Sequence, residues 1–372
     1  MPEKIRIDSV EIRLVRLQVR GSFRASYGQR ATSNRILVMV RAGDIEGWGE
    51  CVAMEHPYYW PETVSSAWST LVNILAPDCI GKVISDPKEE MLFPRVRGNQ
   101  MAKHALESAI WDAWCRTNSI PLYSYIGGTT REVRAGISLG LYKTAGELCD
   151  EINKRLQEGY KWFKIKIEPG KDLDYVRRVR DEFPRLPLSV DANGAYTGDQ
   201  IETLKHLDEF GLEMIEQPFA PTDLVDHREL AESLATPVCL DESVVDFESA
   251  RSLIELHICD AINLKPGRVG GLRESLEIHR LCYSLGFPLW VGGMFETNIG
   301  RATSLALCTL PGITLPSDMS ASTNYFERDV AYPNFEISDT GTLLLPEGPG
   351  TGVEIDKDYI KESTIKVQRL PD

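Results

Sequence analysis

Five residues of two chemical kinds stand at nearly constant intervals. Lys166, Asp191, Glu216, Asp241 and Lys265 are separated by 25, 25, 25 and 24 residues. A fixed period of that size signals one supersecondary unit per repeat, which sets each polar side chain at the same level of successive units. Three carboxylates brought together repel one another and hold protons unless a cation shares the site. Hard oxygen donors without His or Cys suit Mg²⁺ or Mn²⁺ better than zinc. A substrate carboxylate on such an ion would have its α-carbon between the two lysines, and the ion would stabilise the ene-diolate left when the α-proton departs. A desolvated lysine near a cation has a lowered pKa and can act as the base. Any one Asp or Lys at a strand end is more often a cap or a surface charge. The weight lies in the joint spacing.

The elements that must position these residues are strands. In the run 163–167, Phe163, Ile165 and Ile167 alternate with Lys164 and Lys166, so the apolar residues face a helical shell and both lysines face the interior. Interior lysines are costly unless carboxylates or a metal share the space. The same parity groups Ser189 with Asp191, Met214 with Glu216, Cys239 with Asp241 and Asn263 with Lys265, with Asn193 just beyond its strand. Eight β-rich runs, at 136–141, 162–167, 187–191, 213–216, 237–241, 261–265, 288–291 and 312–315, alternate with amphipathic helical segments. Such alternation implies parallel βαβ units, and eight of them close a (β/α) TIM-type barrel with its site at the C-terminal strand ends.

Around that barrel, residues 131–324, the expected organisation is an α+β capping domain over 1–130 and a segment, 325–372, that returns to it. The cap reads as strands near 9–17 and 35–41, a return at Gly47-Trp48-Gly49, and helices near 61–76 and 100–116. In the tail, 359–367 reads as a further extended segment. Two other motifs carry less. Gly47-x-Gly49 lacks a third glycine and a following helix, which argues against a dinucleotide site. Gly267-Arg268-Val269-Gly270-Gly271 opens a helix and is either an anion site or a tight turn. Tyr58, Tyr59 and Trp60 either line a lid or pack.

Composition excludes several classes. The 372-residue chain has 41 basic and 55 acidic residues, a formal charge of −14, which disfavours nucleic acid and anionic membranes as partners. Its eight cysteines stand singly with no C-x-x-C pair, so a zinc or redox motif is not expected and a reduced, cytoplasmic setting is. No stretch approaches 18 apolar residues. The expected partners are a small-molecule carboxylate and further copies of the chain.

The chain resembles the enolase superfamily, muconate-lactonizing subgroup. The marks are Lys164-x-Lys166, Asp191-Ala192-Asn193, Glu216-Gln217-Pro218, Asp241-Glu242-Ser243 and Asn263-Leu264-Lys265. Within it, Lys265-Pro266-Gly267-Arg268-Val269-Gly270-Gly271, Gly292-Gly293-Met294-Phe295-Glu296, Trp48-Gly49-Glu50-Cys51 and Leu315-Pro316-Ser317-Asp318 resemble the o-succinylbenzoate synthase / N-succinylamino acid racemase branch. The resemblance implies Lys166 and Lys265 as acid/base groups on opposite substrate faces and Asp191, Glu216 and Asp241 as metal ligands. It implies Lys164, Ser138, Asn193, Arg268, Gly293, Met294 and Ser317 as substrate contacts, with a loop from 23 to 27 over the barrel mouth. The implied reactions are dehydration to o-succinylbenzoate, a menaquinone-pathway lyase step, and racemisation of N-succinylamino acids. The five residues serve both equally. Arg268 resembles a residue of members with racemase activity. Dipeptide epimerase and muconate cycloisomerase are the alternatives within the subgroup; dipeptide epimerases tend to carry Asp-x-Asp where this chain has Pro316-Ser317-Asp318. A non-catalytic barrel would be expected to have lost one of the five.

Overall fold

The computed structural model describes residues 2–20, 24–25, 28–29, 32–313 and 315–371, the two dipeptides by backbone alone. The chain begins with an antiparallel sheet. Strands Ser9–Gln18, Thr32–Ala42 and Ile45–Cys51 lie in that order, and the last strand of the chain, Thr364–Leu370, adds to the outer edge of the first. Helix Gln100–Thr117 packs across the sheet and is buried on almost every side. The approach is close because the facing residues are small. A Cβ on Gly47 would stand 2.2 Å from the Ala109 carbonyl oxygen, and one on Gly49 would stand 2.1 Å from that of Ala105. Gly47-Trp48-Gly49, expected as a return, lies inside strand Ile45–Cys51, where its glycines are a packing surface for the alanine stripe of the helix.

The second region is an α/β fold around a seven-stranded parallel sheet. Its strands are Gly136–Leu139, Trp162–Lys166, Leu188–Asp191, Ile215–Glu216, Val238–Leu240, Ala261–Leu264 and Leu289–Val291, in sequence order across the sheet. Register aligns the chemistry: Lys166 pairs with Asp191, and Asp191 with Glu216. Asp241 and Lys265 each follow the last residue of their strands. The expected run at 312–315 is not a ladder strand among the described residues. Instead, single parallel bridges join Ile313 to Leu289 and Asp318 to Gly292 on one side, and Ser317 to Ala135 on the other. Pro311 and Pro316 have no N–H to give a ladder there.

The strand faces sort as the alternation requires. Phe163, Ile165, Val190 and Ile215 join the helices in one apolar layer, while Trp162, Met214, Cys239, Ala261 and Trp290 form an inner plug. The tail differs from its expectation: 357–363 is a helix, and the strand begins only at Thr364. Asp356 caps that helix by accepting from the Tyr359 N–H, and Ile360 is buried.

Acidic side chains of the cap dock the two regions. Glu50 accepts from the Thr297 N–H at 2.9 Å, the Thr297 hydroxyl at 2.7 Å and the Gly300 N–H at 3.1 Å, at the start of helix Asn298–Cys308. Glu107 accepts from the Leu272 and Arg273 N–H groups at 2.7 and 3.3 Å, at the start of helix Leu272–Leu285. These are the orphan amides of helix N-termini, where negative charge is favoured. Gly271 is required here, since a Cβ on it would stand 1.4 Å from Glu107 Oε2. The group that the helix start at the Gly270-Gly271 turn binds is therefore one of the chain's own side chains.

Candidate active site

At the C-terminal ends of the second to sixth parallel strands stand Lys166, Asp191, Glu216, Asp241 and Lys265, three acids between two lysines. Lys166 Nζ lies 2.7 Å from Asp191 Oδ2 and donates to Asn193 Oδ1. Lys164 Nζ lies 2.7 Å from Glu216 Oε2, 3.0 Å from Asp318 Oδ2 and 3.5 Å from Asp191 Oδ2, above the Trp290 ring of the plug. Asn263 Nδ2 donates to Glu216 Oε1 at 2.7 Å. Lys265 Nζ lies 2.8 Å from Asp241 Oδ2, and Arg268 pairs with Asp241 Oδ1. Two lysines therefore hold the two ends of one row of carboxylates. Lys166 keeps a quarter of its side chain exposed, whereas Lys265 keeps 8%.

Burial and charge set the ionisation. Burial favours the neutral form of all three acids, yet Lys166 and Lys164 hold Asp191 below the usual carboxylate range. Arg268 and Lys265 likewise overcome burial at Asp241 and hold it low. Glu216 is pushed up to about 7 by burial and by the charge of Asp191. Glu242 is pushed up to about 8 by burial and by Asp241 and Asp191. The sequence expectation was of a lysine lowered by burial beside a cation. Burial would lower Lys265, but Asp241 raises it well above the usual ammonium value, and Asp318, Glu216 and Asp191 do the same to Lys164. That expectation placed a divalent charge beside these groups; in the described arrangement their nearest neighbours are anions.

The other expected contacts divide. Arg268 is fully buried, its Nε on the Val244 carbonyl and Nη2 on that of Asn263. Ser138 pairs in register with Lys164. Gly293 packs against Asp318, whose carbonyl oxygen would stand 2.8 Å from a Cβ there, and Met294 sits in the apolar cluster shared with the cap. Ser317 lies off the row: its hydroxyl donates to the Arg134 carbonyl at 3.1 Å, at the bridge to Ala135. The loop from 23 to 27 falls outside the described residues except for two backbone positions.

Sequence reasoning missed four participants. Asp318 reaches Lys164, and Asn263, assigned the inward face, was given no role. Tyr59 comes from the cap: its hydroxyl donates to Asp241 Oδ2 at 3.2 Å and accepts from Lys265 Nζ and Arg268 Nη1 at 3.2 and 3.1 Å. Glu242 accepts from Asn193 Nδ2 at 2.9 Å. The available signal was adjacency to named residues, for Asp318 beside Ser317 and Glu242 beside Asp241; an aromatic triplet between Pro57 and Pro61 gave no register for Tyr59.

The donor set fits a hard divalent cation. The three acids are buried on neighbouring strand ends, and Glu216 carries an electrostatic penalty that positive charge would remove. Buried Ser189 Oγ, Glu242 Oε2 and Asn263 Oδ1 have no hydrogen-bond partner among the described residues. As placed, no three acid, His or Cys groups among the described residues already close on one point. Lysine and arginine donors stand between the acids, so coordination requires those donors to yield.

Residues 8–127 match the mandelate racemase / muconate lactonizing enzyme N-terminal domain, and residues 147–359 match the enolase C-terminal domain-like family. The chain belongs to the mandelate racemase / muconate lactonizing enzyme family of the enolase superfamily, a family of divalent-metal-dependent enzymes acting on small molecules. Among its relatives, it is 42% identical to an o-succinylbenzoate synthase of Geobacillus kaustophilus over 362 residues, 97% of this chain and 96% of the relative. It is 39% identical to an N-succinylamino acid racemase of Thermus thermophilus over 363 residues, 97% of this chain and 98% of the relative. A solved enolase-superfamily member from Listeria innocua superposes with a TM-score of 0.94 at 35% identity, covering 98% of this chain and 99% of that one. Among the described residues no helix is long and apolar enough to cross a membrane.

Proposed function

We propose that this chain abstracts the proton α to a carboxylate, through an ene-diolate, as an o-succinylbenzoate synthase and N-succinylamino acid racemase. The observation that carries the reading is the placement of Lys166 and Lys265 at opposite ends of the row Asp191–Glu216–Asp241. A carbon held over that row has an amine on each side. Relatives bearing both names, at 42% and 39% identity over nearly the whole chain, support the pairing of activities.

Asp191, Glu216 and Asp241 would hold Mg²⁺ or Mn²⁺. Once bound, the cation supplies positive charge at the substrate carboxylate, offsetting the negative charge that grows there as the proton leaves. Lys166 takes the α-proton from one face. In racemisation Lys265 returns a proton to the other face, and in dehydration its ammonium stabilises the developing charge. Lys164 orients the substrate carboxylate, and Arg268 anchors Asp241 beside Lys265. Ser138, Asn193 and Gly293 approach the substrate, while Met294 and the cap bound its side chain. We take the parallel sheet as a TIM-type barrel over 131–324, sealed by the bridges of 313–318, with a cap over 1–130 completed by 325–372. We assign the protein to the cytoplasm, as a homo-oligomer.

N-succinyl-phenylalanine with Mn²⁺ in D₂O tests the racemase half by optical rotation and α-proton exchange. The cyclohexadiene carboxylate precursor tests the synthase half by release of the aromatic product. Turnover in both is expected. Absence of exchange removes the racemase, and absence of aromatisation removes the synthase. A dipeptide epimerase or muconate cycloisomerase would instead turn over its own substrate class.

A further inference from the structure

From the Lys166–Asn193–Glu242 chain of side chains we infer that Glu242 is a positioning residue that fixes which end of the Asn193 amide meets Lys166. The inference rests on the proposed two-lysine reading and adds a consequence confined to one substrate face. Lys166 Nζ donates to Asn193 Oδ1, and Asn193 Nδ2 donates to Glu242 Oε1 at 2.9 Å. An ammonium can only donate, so it needs the oxygen end of the amide. A carboxamide is two-sided, and nothing in its own chemistry selects that end. Glu242 makes the selection, because a carboxyl oxygen accepts from Nδ2 whether or not the other oxygen bears a proton.

Both ends of the chain are clamped. The Asn193 backbone sits at φ 44°, in the left-handed region, with its N–H on Asp191 Oδ1 at 3.0 Å and the Gly194 N–H on the Gln217 carbonyl at 2.8 Å. Gln217 Oε1 accepts from the N–H groups of Asp241 and Ser243 at 2.9 and 3.2 Å, fixing the backbone on either side of Glu242. Glu242 is 4% exposed, and its second oxygen, Oε2, is buried. By hydrogen bonds the chain reaches Lys166 alone; Lys265 bonds Asp241 and Tyr59, and Glu242 meets it only through charge.

The test is Glu242→Gln. A glutamine offers an NH₂ as readily as an oxygen, so the Asn193 amide can flip and turn Nδ2 towards Lys166. Solvent exchange of the α-proton is followed separately for each enantiomer of N-succinyl-phenylalanine with Mn²⁺ in D₂O. Lys166→Ala and Lys265→Ala identify the enantiomer each lysine serves. Exchange at the Lys166 face is expected to fall at least about tenfold in kcat with little change in KM, while the Lys265 face stays within about twofold. Mn²⁺ affinity by calorimetry is expected to stay within about twofold, and Asn193→Ala is expected to slow the same face alone. In a double-mutant cycle, Glu242→Gln added to Asn193→Ala is expected to cost nothing further. Equal loss at both faces, loss at neither, or a tenfold drop in Mn²⁺ affinity overturns the inference. If Glu242→Gln does not fold, Glu242→Met, which has no carboxyl acceptor for Nδ2, decides by the same face comparison. Wild-type protein with no exchange at either face instead sinks the two-lysine reading itself.

Discussion

Glu107 and Glu216 are both buried acids pushed up to about 7, yet their surroundings differ in kind. Glu107 meets backbone N–H groups at a helix start, and Glu50 does the same on a neighbouring helix. Those donors are fixed by the helices, so the cap seats on the α/β region in one arrangement. Glu216 meets side chains, Lys164 and Asn263, in a row where every acid has a lysine, arginine or amide as its partner. Those donors swing on rotatable bonds. A buried acid held by backbone acts as a clamp. One held by side chains can exchange a cationic side chain for a metal ion, which is what a catalytic site of this family needs.

The sharpest way to break the comparison is at the ends of the row. Lys166→Ala and Lys265→Ala should each cut racemisation of N-succinyl-phenylalanine by about 10²–10⁴-fold, the usual worth of a positioned acid/base, read by polarimetry. Substantial racemisation in either variant sinks the two-lysine scheme. No change at the Glu50 or Glu107 clamps should approach that size in kcat of the folded enzyme.

The second effect is linkage to metal. Mn²⁺ or Mg²⁺ should raise the unfolding midpoint increasingly with its concentration, the stabilisation reaching about 2.7 kcal/mol at a hundred times Kd. Chelation should abolish turnover reversibly while far-ultraviolet dichroism stays unchanged. Glu216→Gln should lose most of the metal-dependent shift, and Glu107→Gln should keep it. An undiminished shift in Glu216→Gln would place the ion elsewhere.

The third concerns the clamp itself. Glu107→Ala leaves two helix-start amides without their acceptor, which should cost about 1–3 kcal/mol in denaturant unfolding. Its kcat per folded molecule should stay within about twofold of the wild type. A large kcat loss with intact stability would make the junction part of the site.

These two systems were unequally legible in the sequence. The row was readable because strand parity and a period of 25, 25, 25 and 24 residues project directly onto register, and Lys166, Asp191 and Glu216 do stand opposite one another. The clamp was not readable, because Glu50 and Glu107 find their amides 247 and 165 residues away, a separation no local pattern encodes. Gly47-Trp48-Gly49 read as a turn although its glycines serve helix packing. Among the described residues the eighth run forms single bridges rather than a ladder, and the periodic reading weighed its apolar character and overlooked the flanking prolines. Tyr59 came from a segment with no period at all, and the lowered lysine pKa was inferred from burial beside a cation, whereas Asp241 holds Lys265 high and Asp318, Glu216 and Asp191 hold Lys164 high.

The smallest effect tests the clamp by pH. Burial raises Glu107 from 4.5 to about 7 in the folded protein, and Glu50 likewise. Between those values the unfolded chain has released protons that the fold retains, so stability falls as pH rises through the window and levels above about 7. Each such group contributes a slope of at most about 1.4 kcal/mol per pH unit. Glu107→Gln removes one titrating group. The stability of this variant relative to wild type should therefore climb from pH 4.5 to 7 and then hold level, measured by denaturant unfolding across that range. Parallel curves for the two proteins would mean that the helix-start amides keep Glu107 ionised throughout, and the clamp would then work by charge as well as by hydrogen bonding.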